Sequence, residues 1–359
     1  MDILQICPFS YSEVGGVSEH VRNISHHLAK RHNVVVYATD PNPAFQRVRT
    51  IDGVRVESFK VYAPSNSYFI SSEMFLRLRR VEFDIVHAHC YHALPFHFST
   101  LTKRKKLVLT PHFHGAGHSP FRNALITLLK SFGERTLKAG NKIISVSQYE
   151  KDLLRAHFKS VRNKILVIPN GVDLNLFSRL RKRQHDFKTI LCVGFLFGYK
   201  GVQYLVDILP RLDDNIHLEI VGRGPMRVPL ERRAIKLGVL NRVRFHDYLP
   251  REDLLQKFAD ADVFALLSKY EAYSLVVAEA LAAGTPCIVA NTSALGEWID
   301  NHTCFGIDFP IDLDRLASLV REVLGGVQSG NRDIWGKRLG EKILDWDEVA
   351  RRLDVVYSS

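Results

Sequence analysis

Within "KYEAYSLVVAEALAAGTPCIV" (residues 269–289) two carboxylates, Glu271 and Glu279, stand with seven residues between them. Glu271 follows the strand-like run "DVFALL", and Glu279 lies in a run of helical character, so the two acids belong to different elements. Taken alone, the pair reads as an exposed loop acid and a solvated helix acid. Near the N-terminus, Gly15, Gly16 and Val17 follow the first strand and its loop and open a helix. Small residues there let backbone N–H groups approach an anion, although a bare turn explains Gly-Gly equally well. In "VGFLFGYKGVQYL", Lys200 ends a loop and Gly201 begins a helix, where a lysine can hold a diphosphate as a point charge. "VGRGP" (221–225) has the look of a dinucleotide turn. It lacks the third glycine and lies far from the first strand, so it fails as a nicotinamide fingerprint.

The elements that must position these groups alternate. "DILQIC", "NVVVYA", "DIVHAHC", "KLVLTPH", "KIISVS" and "KILVIPN" read as buried strands, with helical patterns between several of them. The second half repeats this with "TILCVG", "HLEIVG", "VRFHDY", "DVFALL" and "PCIVA". Such alternation specifies α/β architecture with parallel sheets covered on both faces. The expectation is two Rossmann-like domains facing across a cleft, with ligands outside the carboxyl ends of the strands. Residues 1–177 form the first domain, the aperiodic basic stretch 178–188 the linker, and 189–340 the second domain. Residues 341–359 form a closing helix with Trp346, Val349, Leu353 and Val356 on one face.

A length of 359 residues suits two domains, and 46% hydrophobic with 24% charged residues is a globular composition. No run approaches a membrane span, and "MDILQICPF" reads as a strand rather than a leader. The five cysteines form neither a metal spacing nor a disulfide framework, which fits a reducing, cytoplasmic setting. The net charge of +11 resides in the first half: residues 1–175 carry 24 Lys and Arg against 13 Asp and Glu, and residues 176–359 carry 25 against 25. That asymmetry suggests either an anionic substrate meeting the first domain or a solvated basic surface. No nucleic acid partner is expected.

In order along the chain come "DIVHAH" (84–89), "TPHFHG" (110–115), "IPNGVDLNLF" (168–177), "VGFLFGYKG" (193–201), "VGRGP", "EAYSLVVAEALAAGTP" and the tail "DWDEVARRLDVVY". This series resembles the family 4 retaining glycosyltransferases of GT-B fold over nearly the whole chain. The resemblance implies a metal-independent hexosyltransferase-type enzyme that moves a sugar from a nucleoside-diphosphate sugar to an acceptor hydroxyl in glycan biosynthesis, with front-face attack assisted by the leaving phosphate. It places Glu271 against the reacting sugar, His112 on the donor sugar and Lys200 on the leaving diphosphate. Tyr273, Ser274, Leu275 and Val276 would span a helix N-terminus at the phosphates, Glu279 would take the ribose hydroxyls, and Gly15, Gly16 and Val17 would form a diphosphate or acceptor loop, Gly16 also meeting the donor. Where the family pattern has an arginine this chain has Phe195, and Arg223 on the neighbouring strand tip is the candidate substitute. The closing helix would cross back to the first domain.

Histidines are dense in the first half (His87, His89, His92, His97, His112, His114 and His118), but no cysteine or carboxylate sits at ligand spacing. No metal and no cofactor are expected, the nucleotide-sugar being a substrate. His89 and His114 read as local structure or acceptor contacts. "MFLRLRRVEF" (74–83) and "SPFRNALITLLKSFGERTLKAG" (119–140) mix basic and apolar residues, as surface-lying helices do. A lipid-linked acceptor and peripheral contact with the inner membrane face are compatible with this, although most such helices bury their apolar side in the core. Two alternatives stand beside transfer: a nucleotide-sugar epimerase of similar shape, for which the first domain offers no convincing set of carboxylates, and a catalytically degenerate nucleotide-sugar-binding protein, favoured only by Phe195.

Overall fold

The computed structural model describes residues 1–13, 15–42, 46–62, 70–115, 130–326 and 342–359. It comprises two compact units: residues 1–171 together with 345–359, and residues 172–344. In the first, strands β1 (Asp2–Cys7), β2 (Asn33–Asp40), β3 (Val48–Ile51), β4 (Val54–Lys60), β5 (Glu82–His89), β6 (Lys103–Thr110), β7 (Lys142–Ser145) and β8 (Ile165–Val167) form one sheet in the order β3-β4-β2-β1-β5-β6-β7-β8. All pairings are parallel except β3 with β4. That antiparallel pair lay beyond the alternating pattern. It turns through Asp52 and Gly53, both at positive φ, as a two-residue hairpin requires.

In the second unit, β9 (Lys188–Val193), β10 (Ile216–Val221), β11 (Val243–His246), β12 (Val263–Leu266), β13 (Cys287–Ala290) and β14 (Cys304–Ile307) form an all-parallel sheet in the order β11-β10-β9-β12-β13-β14. Strands such as β12 and β13 are buried along their whole length, which is why they read as continuous apolar runs. The five cysteines are free and buried.

The stretch 178–188 belongs to the second unit rather than to a linker. Its backbone and lysines are tied to "DAD": Arg183 N–H donates to Asp260 at 2.9 Å, and Lys182 Nζ lies 2.8 Å from Asp262 Oδ1. The boundary falls instead after Gly171, and Val172 N–H already bonds to Leu344 O at 2.8 Å inside the second unit.

The closing helix, Trp346–Ser358, packs on the first unit through Trp346, Val349, Ala350, Leu353, Val356 and Tyr357. Gly171 is required for this contact, since a Cβ there would sit 2.8 Å from the Trp346 ring and backbone nitrogen. Lys106 Nζ donates to Val356 O and Tyr357 O, placing a cation at the negative end of the helix.

The 74–83 stretch supplies a short helix, Ser72–Leu78, with Met74 and Leu78 buried in the core, and then the start of β5. Most of 119–140 lies outside the described residues, as does His118; the described part forms a helix, Lys130–Ala139. No helix among the described residues is long and apolar enough to cross a membrane.

Candidate active site

In the second unit the strand order reverses between β9 and β12, the topological switch point where parallel sheets bind ligands. Lys200 follows β9 and Glu271 follows β12, so the two flank this point. Gly201 brings them together. Its φ of +72° and a virtual Cβ only 2.2 Å from Leu267 O mean that no side chain fits there. The two loops are joined by Lys269 N–H donating to Tyr199 O at 2.8 Å. Glu271 is fixed from behind, its N–H donating to Ser293 Oγ at 3.1 Å and its carbonyl accepting from Ala294 N–H.

The outcome is an ion pair, Lys200 Nζ to Glu271 Oε1 at 2.6 Å, with side chains only 16% and 15% exposed. Burial by itself would push the Lys200 ammonium down. The carboxylate opposite more than reverses this, so the pKa lies above its ordinary value and the lysine is charged.

Phe195 sits on an extension of β9 clamped to the tip of β10. Gly194 N–H donates to Val221 O and Leu196 N–H to Arg223 O, each at 2.9 Å. Gly222 and Gly224 allow this contact, since Cβ atoms there would meet Gly194 O and Leu196 O at 1.9 and 2.5 Å. Arg223 therefore lies opposite Phe195 on the neighbouring tip, with its side chain exposed.

Beyond Glu271 the chain enters the Leu275–Ala282 helix through Ser274, a non-glycine residue at φ 77°, ψ 81°. Such backbone is strained, and strain of this kind gathers at functional sites. The Ser274 hydroxyl is buried and has no hydrogen-bond partner among the described residues. Ser274 O accepts from Val277 and Ala278 N–H, so the half-buried Leu275 and Val276 form the first turn, whose amides have no intrahelical acceptors. Tyr273 faces the interior: its ring packs edge-on against Trp298, and its carbonyl accepts from the indole N–H at 2.9 Å. It braces the loop.

Glu279 is buried on the same helix and meets the Arg251 guanidinium at 2.5 Å. Arg251 opens the Arg251–Asp260 helix after Pro250, and sequence reasoning missed it, although a basic residue beside a Pro-started helix was the available signal.

In the first unit the order reverses between β1 and β5. Gly15, Gly16 and Val17 start the Gly16–Ala29 helix after β1, Gly16 exposed and with open space where a Cβ would be. His112 follows β6 at φ 48°, buried, with Nε2 lacking a hydrogen-bond partner among the described residues. Burial, and after it the neighbouring His20 and His87, hold it well below the usual histidine range, so it is neutral. His87 and His89 share a face of β5; His87 Nδ1 lies 2.7 Å from the Tyr357 hydroxyl and its Nε2 2.7 Å from Thr110 Oγ1.

Two family models together cover nearly all of this chain: Glycosyltransferase Family 4 over residues 14–176 and Glycosyl transferases group 1 over residues 177–335. The chain belongs to glycosyltransferase family 4. A relative, a glycosyltransferase of Methanocaldococcus jannaschii, is 33% identical over 238 residues, 60% of this chain and 59% of that protein. The glycogen synthase of Mycobacterium tuberculosis is 29% identical over 380 residues, covering 96% of this chain and 91% of the relative. The structure of Anabaena HepE in complex with UDP-glucose superposes with a TM-score of 0.77 at 17% identity, covering 99% of each chain. The fold is thus that of the GT-B enzymes, and this family 4 member is a glycosyltransferase.

Proposed function

We propose that this enzyme transfers a sugar from a nucleoside-diphosphate sugar to an acceptor hydroxyl with retention of anomeric configuration and without a metal ion. The observation that carries the reading is the Lys200–Glu271 pair at the switch point of the second unit, beside the Ser274 turn and the helix that bears Glu279. The UDP-glucose held by HepE, a protein of the same fold, supports a donor of this class.

In this reading the diphosphate lies against the first amides of the Leu275–Ala282 helix, with the orphaned Ser274 hydroxyl as a further donor. As the glycosidic bond breaks, negative charge builds on the leaving group and Lys200 offsets it, a contribution of the kind that is usually largest in such steps. Arg223 serves where the family arginine is replaced by Phe195. Glu279, held by Arg251, accepts from the ribose hydroxyls. Glu271 positions the sugar hydroxyls and stabilises the oxocarbenium-like centre. The departing phosphate takes the acceptor proton, so no carboxylate nucleophile is needed. His112, with Gly15, Gly16 and Val17, is assigned to substrate contacts in the first unit.

The acceptor side is assigned to the first unit. The charge excess of residues 1–175 supports an anionic acceptor, lipid-linked phosphate included, with peripheral membrane contact on the cytoplasmic side. Failure to co-sediment with anionic vesicles at low salt would remove the lipid version. The transfer reading itself is tested by nucleotide release from labelled donors and by NMR of the product anomer. Release that is abolished by Glu271→Gln, with the donor's anomeric configuration kept in the product, is expected; an inverted product would refute retention.

A further inference from the structure

At the carboxyl end of the first sheet three imidazoles converge from three elements: His20 on the Gly16–Ala29 helix, His89 at the end of β5, and His112 after β6. One ring nitrogen of each lies within 4.8 Å of the others. The same rings carry the buried nitrogens His20 Nε2, His89 Nδ1 and His112 Nε2, which find no hydrogen-bond partner among the described residues. The outer edges of two rings are held. His20 Nδ1 is 2.7 Å from Asn170 Oδ1, and His89 Nε2 is 2.8 Å from Gln5 Oε1.

Amide oxygens only accept, so these outer nitrogens carry the ring protons, and His20 Nε2 and His89 Nδ1 present bare lone pairs. Gln5 is in turn oriented by its amide donating to the Tyr357 hydroxyl. Bare acceptors gathered in an interior without a donor are costly, and each such group calls for an explanation. A cation placed between them resolves it. Imidazoles whose second nitrogen is fixed by a hydrogen bond are the usual form of histidine metal ligands, and three histidines with an open fourth position suit zinc.

We propose that His20, His89 and His112 bind a divalent transition-metal ion of the zinc class. Nitrogens at about 2.0–2.1 Å from a tetrahedral ion stand about 3.4 Å apart, so the rings need to close in by roughly an ångström. Burial keeps the ligands neutral near pH 7: it pushes His20 down to about 4, and His89 and His112 well below their ordinary value. Water or an anion takes the fourth position. The ion engages His112, which the transfer reading assigns to substrate, so the metal inhibits transfer. This last consequence rests on the transfer reading; the binding does not.

Chelator-treated full-length protein is titrated with Zn²⁺ by calorimetry and with Co²⁺ by visible absorption. One ion per chain is expected, with the intense visible bands of tetrahedral Co²⁺. Asn170→Ser and Gln5→Leu, which touch no ion, should weaken binding about 10- to 100-fold. His26→Ala on the surface should leave it unchanged. Absence of binding, or equal affinity in wild type, Asn170→Ser and His20→Gln, would overturn the site. Binding without inhibition of donor turnover would uphold the metal site and instead remove His112 from the transfer reading.

Discussion

Lys200 Nζ stands 2.6 Å from Glu271 Oε1 although 71 residues separate them in the chain, and both side chains are largely withdrawn from water. A pair so placed is held by the fold, because Gly201 and the Lys269–Tyr199 bond fix the two loops against each other. In the proposed reaction the lysine exchanges its partner for the leaving diphosphate. Lys200→Met should therefore lower nucleotide release by about 10²- to 10³-fold, the usual loss when one stabiliser of developing charge is removed. Steady-state assays of release read this directly, and a loss of less than threefold would assign the lysine a structural role only.

Gly201→Ala tests the positioning. The new methyl would meet Leu267 O at a backbone that cannot adopt φ +72° without strain. A destabilisation of roughly 1–3 kcal/mol is expected from the strained conformation alone. Urea unfolding measures it, and activity should fall further than stability because Lys200 shifts with the loop.

Arg251→Ala separates binding from chemistry. With the guanidinium gone, Glu279 loses its ion-pair partner, and in the proposed reading the acid then holds the ribose less well. The donor KM should rise about tenfold with kcat little changed, the signature of uniform binding lost. An equal drop in kcat would place Arg251 in the chemical step.

The closing helix is anchored by a buried polar contact, the Tyr357 hydroxyl to His87 Nδ1 at 2.7 Å. Tyr357→Phe leaves that ring nitrogen without its partner and should cost about 1–3 kcal/mol in urea unfolding. A neutral result would mean that Gln5, which also reaches the hydroxyl, moves to take its place.

His97 gives a pH dependence of known sign. Burial, partly offset by the hydrogen bond to Tyr91 O, pushes it down to about 4. The native state refuses a proton that the unfolded chain accepts near pH 6.5, so this contribution is complete above pH 6.5 and is lost as pH falls toward 4. The loss amounts to about 3 kcal/mol at most. Unfolding free energies at pH 7.5, 6 and 5 should decline more steeply in wild type than in His97→Gln; parallel curves would contradict this.

The parallel sheets and the Glu271–Glu279 segment were legible because buried strands and helix starts leave local patterns. What was lost is non-local. The Arg251–Glu279 pair spans 28 positions with no periodic signature. His20 stood unremarked on a helix, 69 and 92 residues from the two rings it meets. The basic stretch 178–188 has no period and read as a linker, yet Asp260 and Asp262 strap it to the second unit. Tyr273 was read for its place at a helix start, and the packing of its ring against Trp298, 25 residues on, has no local signature.

The site in the second unit is tested most directly by thermal unfolding of wild type and Glu279→Ala across UDP-, GDP- and ADP-sugars. One nucleotide class should stabilise the wild type, by about 2.7 kcal/mol at a hundredfold excess over Kd, and the variant should lose most of that gain. A flat response to every nucleotide, or a gain undiminished in Glu279→Ala, would contradict a donor held by this helix.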